Sequence, residues 1–572
     1  MQIPHTSTAF AARLRRDREP TLLIQKHSVW IFLALTAFGS ARIVSTYNVF
    51  SHIQDEPAHI ACGMEYLSKG VYRYEPQHPP LARVAVAIGP YLAGERSHNE
   101  PDMWHEGQAL LYEGGHYDRN LFLARLGILP FFWIASLVVY VWAKCSCGEP
   151  VAAFSVLSFT FLPPVLAHAG LATTDMALTA MVGAAFLIGL KWVEQPTARN
   201  SIFSGAVTGL AVVSKFSSLL FLPSAAIAAL IWWAVAEKPK LLAPAVKRKY
   251  AAPLVLVAAT MFLVVWAVYR FSFHAIHFVP LHVPFPELFQ GVKTVVEHDI
   301  YGHRAFLLGD QRQFGWWYFF LVALAVKTPL PFLALLFYGI AVMKQAPGIR
   351  TPLAFSLGIL LICLPSRIDL GVRHILPVYI GFSIAAGAGA AELWRRSSSR
   401  AAAWTLAILG VWMIATSALA HPDYLPYFNA LAGKDPSRVL VDSDLDWGQD
   451  VKRLAARLRE AGAQQVFFTP MAYADLAAQG LPPVKANSPF GPSPGWNAVS
   501  LSVLRKFWLL TQKQAEDRTG NYCAGALAAC RPIASTAGLG DSLPEVPLWP
   551  DQVKPPERIG KSIWLWYFPP AR

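Results

Sequence analysis

The sequence predicts an all-α polytopic membrane protein, with about eleven transmembrane helices and a small C-terminal α/β domain. Three observations carry this. Of 572 residues, 54% are hydrophobic and only 15% charged, where a globular chain carries about 25% charge. The apolar residues fall in blocks near the length that crosses about 30 Å of hydrocarbon at about 1.5 Å per residue. The last stretch, from His421 onward, turns polar and alternates short strand-like and helical runs.

Taken in order, residues 1–27 form a basic N-terminus holding Arg13, Arg15, Arg16, Arg18 and Lys26. The apolar block that follows exceeds a signal h-region and has no small-residue cleavage site, so it reads as a retained first span on a cytoplasmic terminus. Spans are expected at 28–50, 121–143, 151–168, 172–192, 202–213, 216–236, 251–271, 316–343, 352–365, 372–393 and 402–420, together the membrane domain 28–420. Alternation places Lys144, 191–199, 238–249, 344–350 and 395–400 on the N-terminal side, and each of those loops is Lys/Arg-rich, the positive-inside pattern. The opposite loops, 51–120, the turn at Asp175 and 272–315, are acidic or mixed. The location implied is the bacterial inner membrane, with the tail 421–572 in the periplasm. Within that tail, 438–442 and 465–469 read as strands and 451–461 as a helix. Cys523 and Cys530 are expected to pair there, in an oxidising compartment.

The formal charge of +13 does not indicate nucleic acid, because the basic residues sit in short loops rather than in one patch or arm. Nor do the six cysteines offer a zinc framework. No Gly-x-Gly-x-x-Gly after a strand and no Walker sequence occurs, so no nucleotide donor is implied.

The first outer loop opens on Gln54-Asp55-Glu56-Pro57-Ala58-His59. Adjacent carboxylates at a membrane surface suit a general base for a hydroxyl or amine beside a lipid-borne substrate. An Asp-Glu-Pro also caps a helix, with Asp55 as N-cap, and taken alone that reading is the stronger. Glu56 and His59 have the Glu-x-x-His spacing that di-iron bundles use twice. A single copy assigns no metal site, and a divalent metal stays open as a cofactor. Further on, Glu75-Pro-Gln-His78-Pro79-Pro80-Leu81 precedes an apolar stretch to Leu92 that is too short to span and reads as a juxtamembrane helix. Among cations, Lys327 and Arg42 fall inside spans, where a charge is costly and usually functional. Lys215 and Arg373 lie at outer span ends, where snorkelling and anion binding are both open. Asp442, Asp444 and Asp446 start like a calcium loop but lack its Gly and its Glu.

In this order and at these depths the motifs resemble a family. DEPAH, then QHPPL, Thr173-Thr174-Asp175, the run from Gly209 to Lys215, Phe314-Gly-Trp-Trp-Tyr318, Lys327-Thr-Pro-Leu330, Arg373-His-Ile-Leu-Pro377, His421 to Asn429 and Asp442 to Gln449 are similar to GT-C membrane glycosyltransferases of the protein O-mannosyltransferase and aminoarabinose-transferase type. The resemblance implies a GT-C-like fold and transfer of a sugar from a polyprenyl-phosphate donor to a protein, lipid or glycan acceptor. It implies Asp55 as base, Glu56 as its support and Asp175 as a second outer acid. His78 stands where aminoarabinose transferases carry a lysine thought to touch the lipid phosphate. Either another cation takes that phosphate, with Lys215, Lys327, Arg373 and Arg42 as candidates, or the donor differs. The competing class is a transporter or flippase of a lipid-linked sugar, although the repeated halves common in transporters are not visible.

Overall fold

The computed structural model describes residues 8–237, 244–276, 279–489, 491–508, 548–555 and 557–570; Cys523 and Cys530 lie outside them. A body of long helices dominates. Their outward faces carry Trp30, Phe38, Leu220, Ile231, Val255, Trp404 and Val411, all strongly exposed. Apolar side chains of that size turned outward on several neighbouring helices match a lipid-facing surface.

All eleven apolar blocks are helical, but eleven crossings are not what length and hydropathy support. Among the described residues six helices are long and apolar enough to cross a membrane, or up to eight if each bent pair is one span. Ala198–Val212 and Arg350–Cys363 are too short. Val378–Arg395 has the length, yet Gly, Ala, Glu392 and Arg395 dilute its apolarity. That helix is the axis of the body. It is buried from Val378 to Ala390 and packs on Glu149–Thr160, Leu330–Ala341 and Arg350–Cys363. Its small residues permit the packing: a Cβ on Gly339 of the neighbouring helix would sit 1.9 Å from the Ala385 carbonyl. Glu149–Thr160 and Pro163–Ala169 meet at 66°, and Phe319–Lys327 and Leu330–Ala341 at 113°. Both breaks fall where a proline excludes the helical conformation from the residue before it, at Leu162 and Thr328, which are extended.

Between the first long helix and the span Tyr117–Cys147 lie three short helices, Glu56–Lys69, Pro80–Leu92 and Met103–Tyr112. The second is the expected juxtamembrane helix. It is clasped by glycines, since a Cβ on Gly63 would lie 1.9 Å from the Arg83 carbonyl oxygen and one on Gly127 2.1 Å from that of Ala85.

Beyond the last long helix, Arg400–Leu419, the chain first packs back into the body through Tyr424, Tyr427, Leu440 and Trp447. It then forms a five-stranded sheet in the order Val484–Lys485, Val466–Thr469, Gly495–Ser500, Ile563–Phe568, Glu557–Ile559. The first three strands are parallel and the last two antiparallel to their neighbours. Helix Val451–Glu460 lays Val451, Leu454, Ala455 and Leu458 on this sheet. The strand expected at 438–442 is instead two short 3-10 turns, Pro436–Arg438 and Asp442–Asp444. Its Leu440 and Val441 are both buried and Asp442 has φ +59, a conformation that no pleated strand accommodates.

Candidate functional site

Three chain ends converge on one face of the body. Asp55 stands at the start of helix Glu56–Lys69, Asp175 at the start of Asp175–Glu194, and Arg373 in the turn Val372–Ile375 before the axial helix. Arg373 Nη1 lies 3.1 Å from Asp55 Oδ2 and 3.7 Å from Asp175 Oδ2. Lys215, following Ala198–Val212, donates to Asp175 Oδ1 at 2.6 Å. The result is a row of alternating charge, Asp55, Arg373, Asp175, Lys215. Asp175 is fully buried, whereas the Asp55 side chain keeps 29% of its surface open. Asp55 is therefore the carboxylate of the row that a reactant can reach.

Electrostatics distinguish the carboxyls. Burial raises the Asp55 carboxyl above its ordinary value; Arg373 and His78 oppose this, and Asp442 and Asp175 add to it. His78 is thus brought close enough to act on Asp55. Its ring contacts His59 edge to face at 5.3 Å, and its Nδ1 lies 3.3 Å from Glu75 Oε2. Burial depresses His78, and Glu75 pulls the other way. Burial likewise depresses His374 beside Arg373, so both imidazoles are biased toward their neutral form.

Glu56 has a different place. It is fully buried, receives both Arg125 Nε and Nη2 at 2.8 Å, and accepts the Ala172 and Ile53 N–H groups. Arg125 also donates to the carbonyls of Tyr47, Phe50 and Ser51. Every strong acceptor position of the carboxylate is used, so Glu56 fixes the backbone that presents Asp55 and the loop that leads to Asp175. Asp55 itself makes no side-chain cap, despite its N-cap position.

Two expected donor-site cations stand elsewhere. Lys327, 1% exposed, donates to the carbonyls of Leu425 and Asp444 and faces the Phe428 ring at 4.2 Å. It caps the 113° break and ties it to the returning tail. Arg42 donates to the Ser417 carbonyl and hydroxyl at 2.6 and 2.9 Å and lies over Phe38, Phe161 and Tyr424. It locks the first helix to Arg400–Leu419. Depth identified both as costly charges, but depth does not say which carbonyls lie in reach.

The tail supplies what the sequence reading overlooked. The Trp447 ring lies 4.2 Å beneath the Arg373 guanidinium, a cation–π contact that sets its plane. Asp444 Oδ1 accepts the Val372 N–H at 3.1 Å, and Ser443 Oγ donates to the Leu370 carbonyl. Asp446, which belongs to the Asp442-to-Gln449 motif and to the failed calcium loop, accepts from Ser500, Ser502 and Gly448 and holds this turn on the sheet. Among the described residues, no three His, Cys, Asp or Glu side chains gather as a metal would require.

Known proteins give a bounded likeness. Residues 118–267 match the family described as dolichyl-phosphate-mannose-protein mannosyltransferase, in agreement with the family that the motifs suggested. That segment holds Asp175 and Lys215 but neither Asp55 nor Arg373. No curated protein matches the chain. Among solved structures, ArnT from Cupriavidus metallidurans bound to undecaprenyl phosphate is 13% identical over 83% of this chain and 93% of its own, with a TM-score of 0.48. The AglB oligosaccharyltransferase from Archaeoglobus fulgidus, in complex with an inhibitory peptide and a dolichol-phosphate, is 11% identical over 83% and 70%, with a TM-score of 0.42. Likenesses this low carry no argument about what this chain binds.

Proposed function

We propose that this protein is a membrane glycosyltransferase that moves a sugar from a polyprenyl-phosphate carrier to an acceptor hydroxyl or amine, on the face that holds residues 51–120 and the tail. The observation that carries the reading is the row Asp55, Arg373, Asp175, Lys215 at the end of an apolar helical body. An open carboxylate beside a buried guanidinium can take a proton while a neighbouring anion is being stabilised. Support comes from the motif resemblance and from the mannosyltransferase family match over residues 118–267.

In this scheme the acceptor enters beside Asp55, which removes its proton as the acceptor oxygen or nitrogen attacks the anomeric carbon. The bond from that carbon to the carrier phosphate breaks, with inversion. A phosphodiester monoanion becomes a phosphomonoester dianion as Asp55 becomes neutral, so the total charge is conserved and moves from base to phosphate. Arg373, which Asp55 held, then faces the new charge with His78 and Lys215 near. Asp175 keeps both cations in place.

The same reading gives the topology. Residues near 51, 172, 215, 268, 373 and 449 meet on the site face, through Ser51 to Gln449, Ala172 to Glu56, Lys215 to Asp175, and Tyr66 to Val268. On the other side, Lys144 meets Glu149 and Tyr250 meets Val193. Eleven passes, some of them short, join these ends, with the N-terminus cytoplasmic and the tail periplasmic, where Cys523 and Cys530 would pair. Purified protein in lipid, given polyprenyl-phosphate sugars and candidate acceptors, tests the function by mass spectrometry of the products. Transfer without a nucleotide supports it. Movement of the lipid-linked sugar across vesicles with no transfer to any acceptor would show a flippase instead.

A further inference from the structure

The tail brings an ion pair to this centre that the scheme above leaves unused. Lys506, in the segment Val503–Trp508 and only 6% exposed, donates to Asp442 Oδ2, which takes one of its three N–H bonds. Asp442 is held in the left-handed region at φ +59, fixed by its own N–H to Ser502 Oγ at 2.9 Å and by the Ser443 N–H to its Oδ1 at 2.7 Å. A non-glycine residue kept there marks a position whose surroundings over-determine it. The following residues, Ser443 and Asp444, are bonded to Leu370 and Val372, so Asp442 is delivered beside Arg373 and acts electrostatically on both Arg373 and Asp55.

Buried donors nearby have capacity left. Arg373 Nε and His374 Nε2 are buried and have no hydrogen-bond partner among the described residues. Unsatisfied buried donors are costly, and a buried ion pair confers less stability than apolar packing of the same volume. Fastening the tail would not call for a charge pair placed here. An anion arriving between Lys506, Arg373 and His374 would meet the unpartnered Arg373 Nε–H, the N–H groups that Lys506 does not give to Asp442, and His374 Nε2 in its protonated tautomer.

We propose that Lys506 is a further cation of the site and, with Arg373, receives the phosphate of the lipid carrier, Asp442 being the counter-ion that Lys506 leaves in order to do so. This rests on the donor reading above. Of the two cations Arg373 is committed to Asp55 until the base is protonated, whereas Lys506 is not tied to the base and can hold the phosphate from the outset. The second negative charge appears on the phosphate when its bond to the sugar breaks.

Binding of undecaprenyl phosphate, with uncharged undecaprenol as the control, tests this on the full chain in detergent. Lys506→Met is expected to weaken undecaprenyl phosphate binding about ten- to a hundred-fold, the range for one charge-assisted contact, and to leave undecaprenol binding unchanged. Lys506→Arg should restore most of the loss. Asp442→Asn should tighten phosphate binding by releasing Lys506, and it keeps the test decisive if Lys506→Met does not fold. Wild-type phosphate affinity in a folded Lys506→Met, or unaltered affinity in Asp442→Asn, would overturn the proposal and leave the pair as a tail fastening. If the wild type itself does not prefer undecaprenyl phosphate to undecaprenol, the donor reading has failed first.

Discussion

Arg373 Nη1 lies 3.1 Å from Asp55 Oδ2, so the most open carboxylate of the site is paired with a guanidinium from the turn before the axial helix, itself seated on Trp447 of the tail. The cation that favours the ionised form of Asp55 is thereby the group left free when, in the proposed mechanism, Asp55 takes a proton.

Asp55→Asn should insert and fold normally and lose transfer by roughly 10²- to 10⁴-fold, the usual worth of a general base. A side chain 29% open with no capping hydrogen bond contributes little to stability, and Asp175 keeps Arg373 partnered when Asp55 loses its charge. The comparison is turnover against thermal unfolding in the same detergent; an Asn variant with wild-type turnover removes Asp55 from its role.

The pH dependence has a defined sign. Burial raises the Asp55 carboxyl and Arg373 opposes it, so the acid limb of the activity profile should lie above the ordinary aspartate value, with activity rising as pH rises through it. Arg373→Met removes the opposing charge and should move that limb to higher pH, besides raising the donor KM. Stability follows the opposite course: a carboxyl raised on folding contributes below its unfolded value and loses that contribution as pH rises through the folded value. In Asp55→Asn this component of the stability profile should vanish. A limb that stays in place in Arg373→Met means that Arg373 does not control the base.

Glu56→Gln should behave unlike Asp55→Asn. It leaves Arg125 buried without its charge partner, at a cost of about 3–5 kcal/mol, and loosens the turn that presents Asp55. Reduced expression and a lowered unfolding temperature are expected, and replacing Glu56 and Arg125 together by apolar residues should recover part of that loss. A stable Gln variant with an isolated catalytic defect would return Glu56 to a direct role in the chemistry.

Lys327→Met should lower stability and leave the donor KM where it is, because the ammonium is spent on the Leu425 and Asp444 carbonyls. A donor titration of the folded variant measures this. A KM raised about tenfold would place Lys327 on the phosphate after all.

The orientation of the chain can be tested apart from its chemistry. A periplasm-dependent reporter should be active when fused after Arg572 and silent when inserted near Lys240. Activity at both sites, or the reverse pattern, rejects the proposed topology.

Much of this site could be read from residue types and depth. Asp55, Asp175, Lys215 and Arg373 each stood at an outer span end, and the structure brings those four into one row. The same reasoning could not separate Glu56 from Asp55, adjacent in sequence but turned one to the open face and the other toward Arg125. Nor could it see that Lys327 lies under carbonyls of a segment about a hundred residues away. The Asp442-to-Gln449 motif was visible, but its meeting with Arg373 was not, because no local pattern tells a tail turn that it will reach a loop near residue 370. Length and hydropathy recover fewer spans than eleven because of packing: Val378–Arg395, the axial helix, is rich in small residues that let neighbours approach, and these lower the apolarity by which a span is recognised.

One seam has a bearing on biosynthesis. The Ser51 hydroxyl and N–H reach the Gln449 carbonyl, 398 residues later, and the Gln54 N–H reaches Trp447, so the opening of the first loop is sewn to the tail. Such late pairing places the slowest closure at the end of folding. A nascent chain therefore carries Asp55 and Arg373 through insertion as strangers, and a ribosome that stalls before Trp447 releases a membrane protein in which Arg373 lacks its tail contact. Assembly of the row is in this way a report that the chain has been made through Gln449.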